Sequence, residues 1–334
     1  MEFIVFSDAQ FYSNPYKSFL TGDGMTSWFK MQLSVLDCIV QYTIDNNINL
    51  IIHNGDLFEE KNKIDVPLYN IVWDKFYRYK HDNDIKFIFN TGNHEIMNYS
   101  RDSSLSPFKA VGEVINKVTG FFIDTHYLRF IPFGMLNNNN IEVLDDVHGK
   151  QILFTHEDMI GLVYRGSNEN IKNRFDPKLL VNWNIVFNGH IHDPQKLNNV
   201  IIVGAPIRHD FGECTNQRRF IHYKDGEVIS IPTDCPDFIT IDNLTEDMVE
   251  KILKDDYNFY RIVVDPTRVD EKLFQKYNVF PEFLKTNRKS RGESSIDTTT
   301  NIVDEIEWYV GEISNTELEP DKLINVGHKI VNRR

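Results

Sequence analysis

The sequence predicts an α/β fold in which buried strands form a layered sandwich flanked by helices. Short apolar runs rich in Ile, Val and Phe recur between residues 3 and 187. Near-continuous apolarity over about four residues is typical of strands that are buried on both faces of a sheet. Longer stretches with helical spacing lie between the first three runs. This alternation of strands and helices favours an α/β sandwich.

The elements of the first part of the chain follow from these runs. The five apolar runs are predicted strands: FIVF (3–6), LII (50–52), KFIF (86–89), ILF (152–154) and NIVF (184–187). Two stretches repeat apolar residues at the helical period. They predict helices at residues 27–47 and 66–83.

Strands continue beyond the helical part. Residues 126–235 are rich in short apolar runs, and the KDG turn within residues 219–231 lies between two alternating runs. Such a turn predicts a β-hairpin. Nearer the C-terminus, FYRIVVD (259–265) predicts one more strand, and residues 270–285 predict a helix.

Length and composition divide the chain into one large domain and smaller parts. We expect a main domain at 1–235, a small α+β cap domain at 236–285, a linker at 286–300 and a helical C-terminal segment at 301–334. The linker is polar and lacks periodicity. The last segment has helical spacing but too little apolar bulk for a core of its own. We therefore expect residues 301–334 to dock on something else.

Composition limits which cellular compartment and which partners are expected for the protein. The net charge of −13 is unlike that of an electrostatic nucleic-acid binder. Divalent cations held by carboxylates would nevertheless supply local positive charge. An acidic net charge is therefore compatible with DNA as a partner. Cys38, Cys214 and Cys235 form no C-x-x-C pair, which indicates free thiols in a reducing cytoplasm. The N-terminus has no basic region before its apolar run, and no run reaches the ~18 residues of a membrane helix.

Residue types that bind metals follow every predicted buried strand. The five runs are followed in turn by Asp8 and Gln10, by Asp56, by Asn93 and His94, by His156, and by His190 and His192. In open α/β sheets, ligands bind at the carboxyl ends of the strands. We therefore expect these side chains to converge on one centre.

Asp, Asn and His ligands together suit Mn²⁺, Fe²⁺ or Zn²⁺. Two such ions about 3.5–4 Å apart need a bridging carboxylate, and Asp56 is the predicted bridge. The other ligands divide between the two ions, with Asp8 and His192 on one ion and Asn93, His156 and His190 on the other. In GHIH, alternation along an extended backbone would point both histidines the same way.

Several nearby residues have roles other than clear ligation. His94 adjoins a ligand and is free to donate a proton to a leaving oxygen or to stabilise charge on a phosphate. Glu95 and Glu157 follow ligands directly and are candidates to orient them. His53 precedes the Asp56 motif, and it is either a core histidine or a neighbour of the ligands. Gln10 is either a metal ligand or a bystander.

The motifs SDAQ, GD, GNHE, THE and GHIH, in this order over residues 1–192, resemble those of the calcineurin-like metallophosphoesterases. The segment VGAPIRHDFGE (203–213) is similar to one in the SbcD-type DNA-repair exonucleases, which include phage recombination nuclease subunits. The resemblance implies the two-sheet metallophosphoesterase sandwich and a centre of two Mn²⁺ ions, with Mg²⁺, Fe²⁺ or Zn²⁺ as alternatives. It also implies 3′→5′ exonuclease activity on duplex DNA and endonuclease activity on single strands.

By the same resemblance, the partners are DNA, an SbcC-type coiled-coil ATPase and a second copy of the chain. The dimer would form through helices near the first two motifs, with residues 27–42 as the candidate, and residues 301–334 would dock on the ATPase. A phage-encoded member would work in the host cytoplasm.

One position departs from the family pattern, because Gln10 stands where the pattern has histidine. A neutral amide is a poorer metal ligand than an imidazole, so one alternative is a non-enzymatic scaffold with a degenerate site. A second alternative does not depend on Gln10. It is a metallophosphatase or cyclic-nucleotide phosphodiesterase on the same scaffold, since one centre serves monoesters and diesters.

Overall fold

Two β-sheets packed face to face and flanked by helices form the body of the protein. The computed structural model describes residues 1–14, 18–96, 103–145, 147–163, 174–213, 217–264 and 271–283. The helices of these residues are α1 (Ser27–Asp45), α2 (Val66–Asn83), α3 (Glu246–Lys254) and α4 (Glu271–Phe274). Their strands are β1 (Glu2–Phe6), β2 (Leu50–Asn54), β3 (Lys86–Asn90), β4 (Gly112–Ile115), β5 (Thr119–Ile123), β6 (His126–Ile131), β7 (Gln151–Thr155), β8 (Ile185–Asn188), β9 (Gln195–Leu197), β10 (Val200–Ile202), β11 (Arg219–Lys224), β12 (Glu227–Pro232), β13 (Phe238–Ile241), β14 (Phe259–Val264) and β15 (Val279–Phe283).

Parallel strands occupy the centre of both large sheets. The first sheet has the order β12-β11-β1-β2-β3-β4, and β1 to β4 run parallel. The second has the order β5-β6-β7-β8-β10-β9, in which β6, β7, β8 and β10 run parallel. The carboxyl ends of β1, β2 and β3 therefore share one edge, as do those of β7 and β8.

Aromatic side chains fill the space between the two sheets. Phe3 of β1 stacks on Tyr223 at 4.6 Å between ring centroids and lies 5.9 Å from Phe154 of the second sheet. Phe154 in turn stacks on Phe130 at 4.6 Å. Since each of these rings is buried, the sheets are held together largely by the hydrophobic effect.

Helices α1 and α2 cover the outer face of the first sheet. Each begins at a capping side chain: Thr26 Oγ1 accepts a hydrogen bond from the Phe29 amide at 3.2 Å, and Asp65 Oδ1 accepts one from the Leu68 amide at 2.9 Å. Both helices bury apolar faces in the same cluster. In the part of the chain that the structure describes, no helix is long and apolar enough to cross a membrane.

The fold class predicted from the sequence is confirmed. The five predicted strands, the hairpin of β11 and β12, and the two long helices are all present. A third sheet, β13-β14-β15, follows the sandwich and has an apolar cluster of its own with α3. Residues 1–282 form one compact unit, and the division predicted between 1–235 and 236–285 stays a prediction. The predicted linker 286–300 and segment 301–334 lie outside the described residues.

The helix predicted at 270–285 is wrong for most of its length. Within the described part of this range, only Glu271–Phe274 are helical, and Val279–Phe283 form β15. Pro281 is unsuited to a helix interior because it lacks an amide hydrogen and clashes with the preceding turn. It is tolerated here because β15 is an edge strand of its sheet. Helix α3 was not expected from the sequence.

Asn54, at the end of β2, links the two sheets beside their carboxyl edges. Its Nδ2 donates to the carbonyls of Thr155 at 2.8 Å and Phe187 at 3.2 Å. Its Oδ1 accepts from Asn90 Nδ2 at 3.1 Å. All four residues are fully buried. The network therefore fixes how the strand ends of one sheet face those of the other.

Replacing Asn54 by alanine should lower the free energy of unfolding by about 1–3 kcal/mol, because the amide of Asn90 and two carbonyls lose buried partners. Urea unfolding measures the change. Asn83→Ala, at the exposed end of α2, is the matched control, for which a change within about 0.5 kcal/mol is expected. Equal effects of the two substitutions would contradict a linking role for Asn54.

Candidate metal centre

The strand ends of both sheets converge on one cavity of about 300 Å³. Six of the residues singled out in the sequence line it: Gln10, Asp56, Asn93, His94, His190 and His192. Asp8 and His156 lie beneath these residues and are fully buried. The predicted convergence is therefore present in the structure.

Left-handed backbone follows the strands at four of these positions. The φ angle is 57° at Asp8, 44° at Gln10, 59° at Asp56 and 74° at His190. Residues other than glycine adopt this region at a cost of order 1–3 kcal/mol, and they do so mostly at functional sites. Backbone hydrogen bonds hold the turns, among them one from the Asp8 amide to the carbonyl of Gly55 at 2.9 Å. The chain thus turns sharply after β1, β2 and β8, which brings these residues to the cavity or directly beneath it.

Two glycines let the loops approach the ligands. A Cβ at Gly92 would lie 2.2 Å from Asp56 Oδ1, and one at Gly189 would lie 2.5 Å from His156 Nδ1. Both distances are shorter than any real contact of a Cβ atom. The glycines of GNH and GH are thus required by packing against Asp56 and His156.

His156 faces two carboxylates. Its Nδ1 donates to the carbonyl of Asn54 at 2.8 Å, which leaves Nε2 directed at Asp56 Oδ2 at 3.2 Å and at Asp8 Oδ1 at 3.8 Å. Nε2 has no hydrogen-bond partner among the described residues. Burial alone would lower the pKa of His156, but the charges of Asp56 and Asp8 raise it to about 10. The position between these groups therefore favours a cation.

Asp56 is central to the site and stays ionised despite burial. Burial opposes its ionisation, yet the imidazoles of His156 and His94 hold the pKa of its carboxyl well below the ordinary value. Its Oδ1 also accepts a hydrogen bond from the His94 amide at 2.8 Å. Ligand atoms of Asp56, His156 and His190 lie within 4.8 Å of one another. This carboxylate and imidazole set fits a divalent ion of the Mn²⁺ type.

Asn93 extends this group. Its Oδ1 accepts a hydrogen bond from His190 Nδ1 at 2.9 Å. The three residues assigned from the sequence to one metal ion, Asn93, His156 and His190, are thus neighbours. The other ring nitrogen of His190, Nε2, lies 3.3 Å from Asp158 Oδ1.

The residues assigned to the other ion are also close together. His192 Nε2 lies 4.0 Å from Asp8 Oδ1, and its Nδ1 donates to Glu213 Oε1 at 2.6 Å. Gln10 lines the same cavity and is almost fully buried. The structure therefore places Gln10 at the site rather than on the surface.

His94 lies at the mouth of the cavity. Its Nδ1 hydrogen-bonds the carbonyl of Glu59, and its Nε2 lies 3.9 Å from Asp56 Oδ2. Its side chain is 20% exposed, whereas that of His156 is fully buried. An exposed imidazole beside the metal position can reach a bound substrate.

Glu95 secures two of the loops. Its carboxylate accepts hydrogen bonds from the amides of Asp56 at 2.8 Å, Leu57 at 2.7 Å and Gly92 at 2.7 Å. Burial raises its pKa to about 7, and the charge of Asp56 adds to this effect. Glu95 thus acts on the backbone that carries Asp56 and Asn93 rather than on a ligand ring.

Two other candidates contact no ligand ring. The carboxylate of Glu157 accepts from the Gly134 amide, so it ties the loop after β7 to the loop after β6. His53 is packed between Phe6 and Phe89, at 4.9 and 6.3 Å between ring centroids, and burial lowers its pKa to about 3. Among the described residues, neither ring nitrogen of His53 has a hydrogen-bond partner. This placement is that of a core histidine.

The sequence did not reveal the contacts of Asp158, His209 and Glu213. His209 Nε2 donates to the carbonyl of Asp8 at 3.1 Å. The only signals were the position of Asp158 two residues after a ligand and the resemblance of segment 203–213. The expectation that an extended backbone in GHIH points both histidines the same way is wrong. His190 has a φ of 74°, so the chain bends after β8.

Comparison with known proteins gives one family match and two similar solved structures. The chain matches the sequence model described as calcineurin-like phosphoesterase over residues 1–194, which covers all the strand ends at the cavity. Among solved structures it is similar to a dimetal phosphatase from Danio rerio, with a TM-score of 0.39 and 9% identity, over 70% of this chain and 99% of that chain. It is also similar to an archaeal phosphodiesterase, with a TM-score of 0.34 and 12% identity, over 70% and 99%. No curated protein matches the chain.

Replacing Asp56 by asparagine should weaken Mn²⁺ binding about tenfold or more and leave the chain folded. A neutral amide binds cations less well than a carboxylate, and the substitution removes one of two neighbouring buried negative charges. Calorimetric titration with Mn²⁺ measures the affinity, and thermal unfolding without metal measures the fold.

Asp82→Asn, at an exposed position near the end of α2, is the control and should bind Mn²⁺ as the unchanged protein does. Wild-type affinity in the Asp56 variant would exclude Asp56 as the bridging ligand.

Proposed function

The chain belongs to the calcineurin-like phosphoesterase family, and from this premise we propose that it is a two-metal phosphodiesterase that acts on DNA. The observation that carries the choice of DNA is the place of segment 203–213. This is the segment whose sequence resembles that of SbcD-type nucleases. Its Glu213 contacts the ring of His192 at 2.6 Å, and its His209 contacts the Asp8 backbone at 3.1 Å. The nuclease-like segment is thus part of the centre itself.

The residues have distinct tasks in the hydrolysis of a phosphodiester. Asp56 would serve both ions, Asp8 and His192 would hold one ion, and Asn93, His156 and His190 would hold the other. Bound metal ions would lower the pKa of a water molecule and polarise a phosphoryl oxygen. His94, at the cavity mouth, donates a proton to the leaving 3′ oxygen or stabilises its charge.

Two carboxyl groups at the rim of the cavity bear on the choice between a diester and a monoester. Glu59 and Asp210 bring carboxyl groups to the same cavity as the ligands. A phosphomonoester carries a charge of about −1.5 to −2 at neutral pH, whereas a nucleic-acid phosphate carries a single negative charge. Since like charges repel in proportion to their product, these carboxyl groups disfavour a monoester more strongly. This supports a phosphodiesterase over the alternative of a metallophosphatase.

The finer features of the proposal rest on the family resemblance. They are Mn²⁺ as the working metal, 3′→5′ exonuclease activity on duplex DNA and endonuclease activity on single strands. The protein would serve in DNA repair or recombination as the nuclease subunit of an SbcCD-type complex. Its partners would be an SbcC-type coiled-coil ATPase, bound through residues 301–334, and a second copy of the chain, bound through the region of α1.

A nuclease assay tests the proposal. End-labelled duplex and single-stranded DNA, a cyclic nucleotide, bis-p-nitrophenyl phosphate and p-nitrophenyl phosphate are each incubated with the protein and Mn²⁺ or Mg²⁺. We expect metal-dependent cleavage of DNA and of the small diester, with loss of activity in EDTA. Faster hydrolysis of the monoester, or hydrolysis of the cyclic nucleotide without cleavage of DNA, would overturn the proposal.

Replacing His94 by alanine should lower the cleavage rate by about 10²–10⁴-fold without loss of metal. Its imidazole lies next to the metal position but is not one of the assigned ligands. Cleavage of end-labelled DNA, whose alcohol leaving group needs the proton, and elemental analysis of the same sample provide the two measurements. His148→Ala, at an exposed position ahead of β7, is the control. Loss of metal in the His94 variant would show instead that His94 is a ligand.

A further inference from the structure

Glu213 places a fully buried carboxylate behind the metal centre. It is 1% exposed and lies at the far end of segment 203–213. Its Oε1 accepts from His192 Nδ1 at 2.6 Å, and its Oε2 accepts from the His209 amide at 3.0 Å. Arg218 NH2 lies 3.4 Å from the same Oε2. Both carboxylate oxygens are therefore engaged, and one of them is directed at the ring of a predicted ligand.

This contact determines the tautomer of His192. An ionised carboxylate only accepts hydrogen bonds, so Nδ1 of His192 carries the hydrogen. The lone pair is then on Nε2, which faces Asp8 Oδ1 at 4.0 Å. A carboxylate behind a metal-binding imidazole also makes the imidazole a stronger donor.

Arg218 brings a positive charge next to the buried carboxylate. It is fully buried, and its NH2 donates to Asp193 Oδ1 at 2.9 Å and to the carbonyl of Glu213 at 2.6 Å. Its NH1 donates to the carbonyl of His192. The guanidinium thus offsets the charge of Glu213 and also holds the backbone of His192.

Gln10 explains why His192 needs this support. Gln10 stands where the family pattern has histidine, and a neutral amide is a weaker ligand than an imidazole for ions of the Mn²⁺ type. Its backbone is fixed at the site, because Gln32 Nε2 donates to its carbonyl at 2.8 Å. The strong donors that remain for this ion are Asp8, the bridging Asp56 and His192. His192 is thus the one imidazole assigned to it.

We propose that Glu213 is a positioning residue that orients His192 and strengthens it as a metal ligand, and so compensates for the weak donor Gln10. The proposal rests on the two-metal centre of the proposed function. It goes beyond that function by assigning the affinity of one ion to a carboxylate that contacts no metal.

Titration of the full chain with Mn²⁺ alone, followed by electron paramagnetic resonance, tests this role without reference to activity. Glu213→Gln keeps the shape of the side chain but removes its charge. We expect one of the two ions to bind about 10–100-fold more weakly, while the other binds as in the unchanged protein. Glu213→Asp keeps the charge and should retain more affinity than Glu213→Gln.

Glu2→Gln is the matched control. Glu2 also accepts from a histidine ring, His222 Nε2 at 2.7 Å, but neither residue lines the cavity, so we expect both Mn²⁺ affinities unchanged. Unchanged affinities in Glu213→Gln would overturn the proposal. So would equal loss of affinity in Glu213→Gln and Glu2→Gln, because the loss would then not depend on the contact with His192.

The link to Gln10 is tested by a second substitution. Gln10→His supplies an imidazole at the same half-site, and it should restore most of the affinity lost in Glu213→Gln. The absence of any recovery would overturn the compensation. If the unchanged protein bound no pair of Mn²⁺ ions at all, the proposed function would fail, and this inference with it.

Discussion

The burial of two carboxylates beside each other is the constraint on which the rest of this structure depends. Asp8 and Asp56 are 0% and 1% exposed, and both face Nε2 of His156. Removing an ion from water costs several kcal/mol even after the protein relaxes, unless opposite charge repays it. Among the described residues, no lysine or arginine forms an ion pair with either carboxylate, so the imidazole of His156 is the group that offsets their charge. A divalent ion bound there would take over this role.

The scaffold around these carboxylates prevents them from moving apart. Asn54 joins the strand ends of both sheets through buried hydrogen bonds, and Glu95 holds the loops of Asp56 and Asn93 through three amides. Left-handed backbone at Asp8 and Asp56 adds strain that only a rigid surrounding maintains. The site is thus preorganised, so that little further ordering is needed when ions bind. The same rigidity would hold a phosphodiester in line with the groups that act on it.

The convergence of the strand-end residues could be predicted from the sequence for a physical reason. Buried parallel strands are continuous apolar runs, and their carboxyl ends meet, so Asp8, Asp56 and His156 could be assigned to one centre from their place in the chain. Contacts between segments that are distant in the sequence could not be predicted. Glu213 reaches His192 only because the turn after β10 folds back on the site, and Pro281 ended a helical pattern in favour of an edge strand of the third sheet. Propensity does not report such tertiary contacts.

The most direct test of the central claim is the number and separation of Mn²⁺ ions that the unchanged protein binds. Electron paramagnetic resonance of the protein at saturating Mn²⁺ measures both, since two ions about 3.5–4 Å apart couple magnetically. We expect two ions per chain with the signal of a coupled pair. Binding of a single uncoupled ion, or of none, would contradict it, because Asp56 could then not bridge two metal positions.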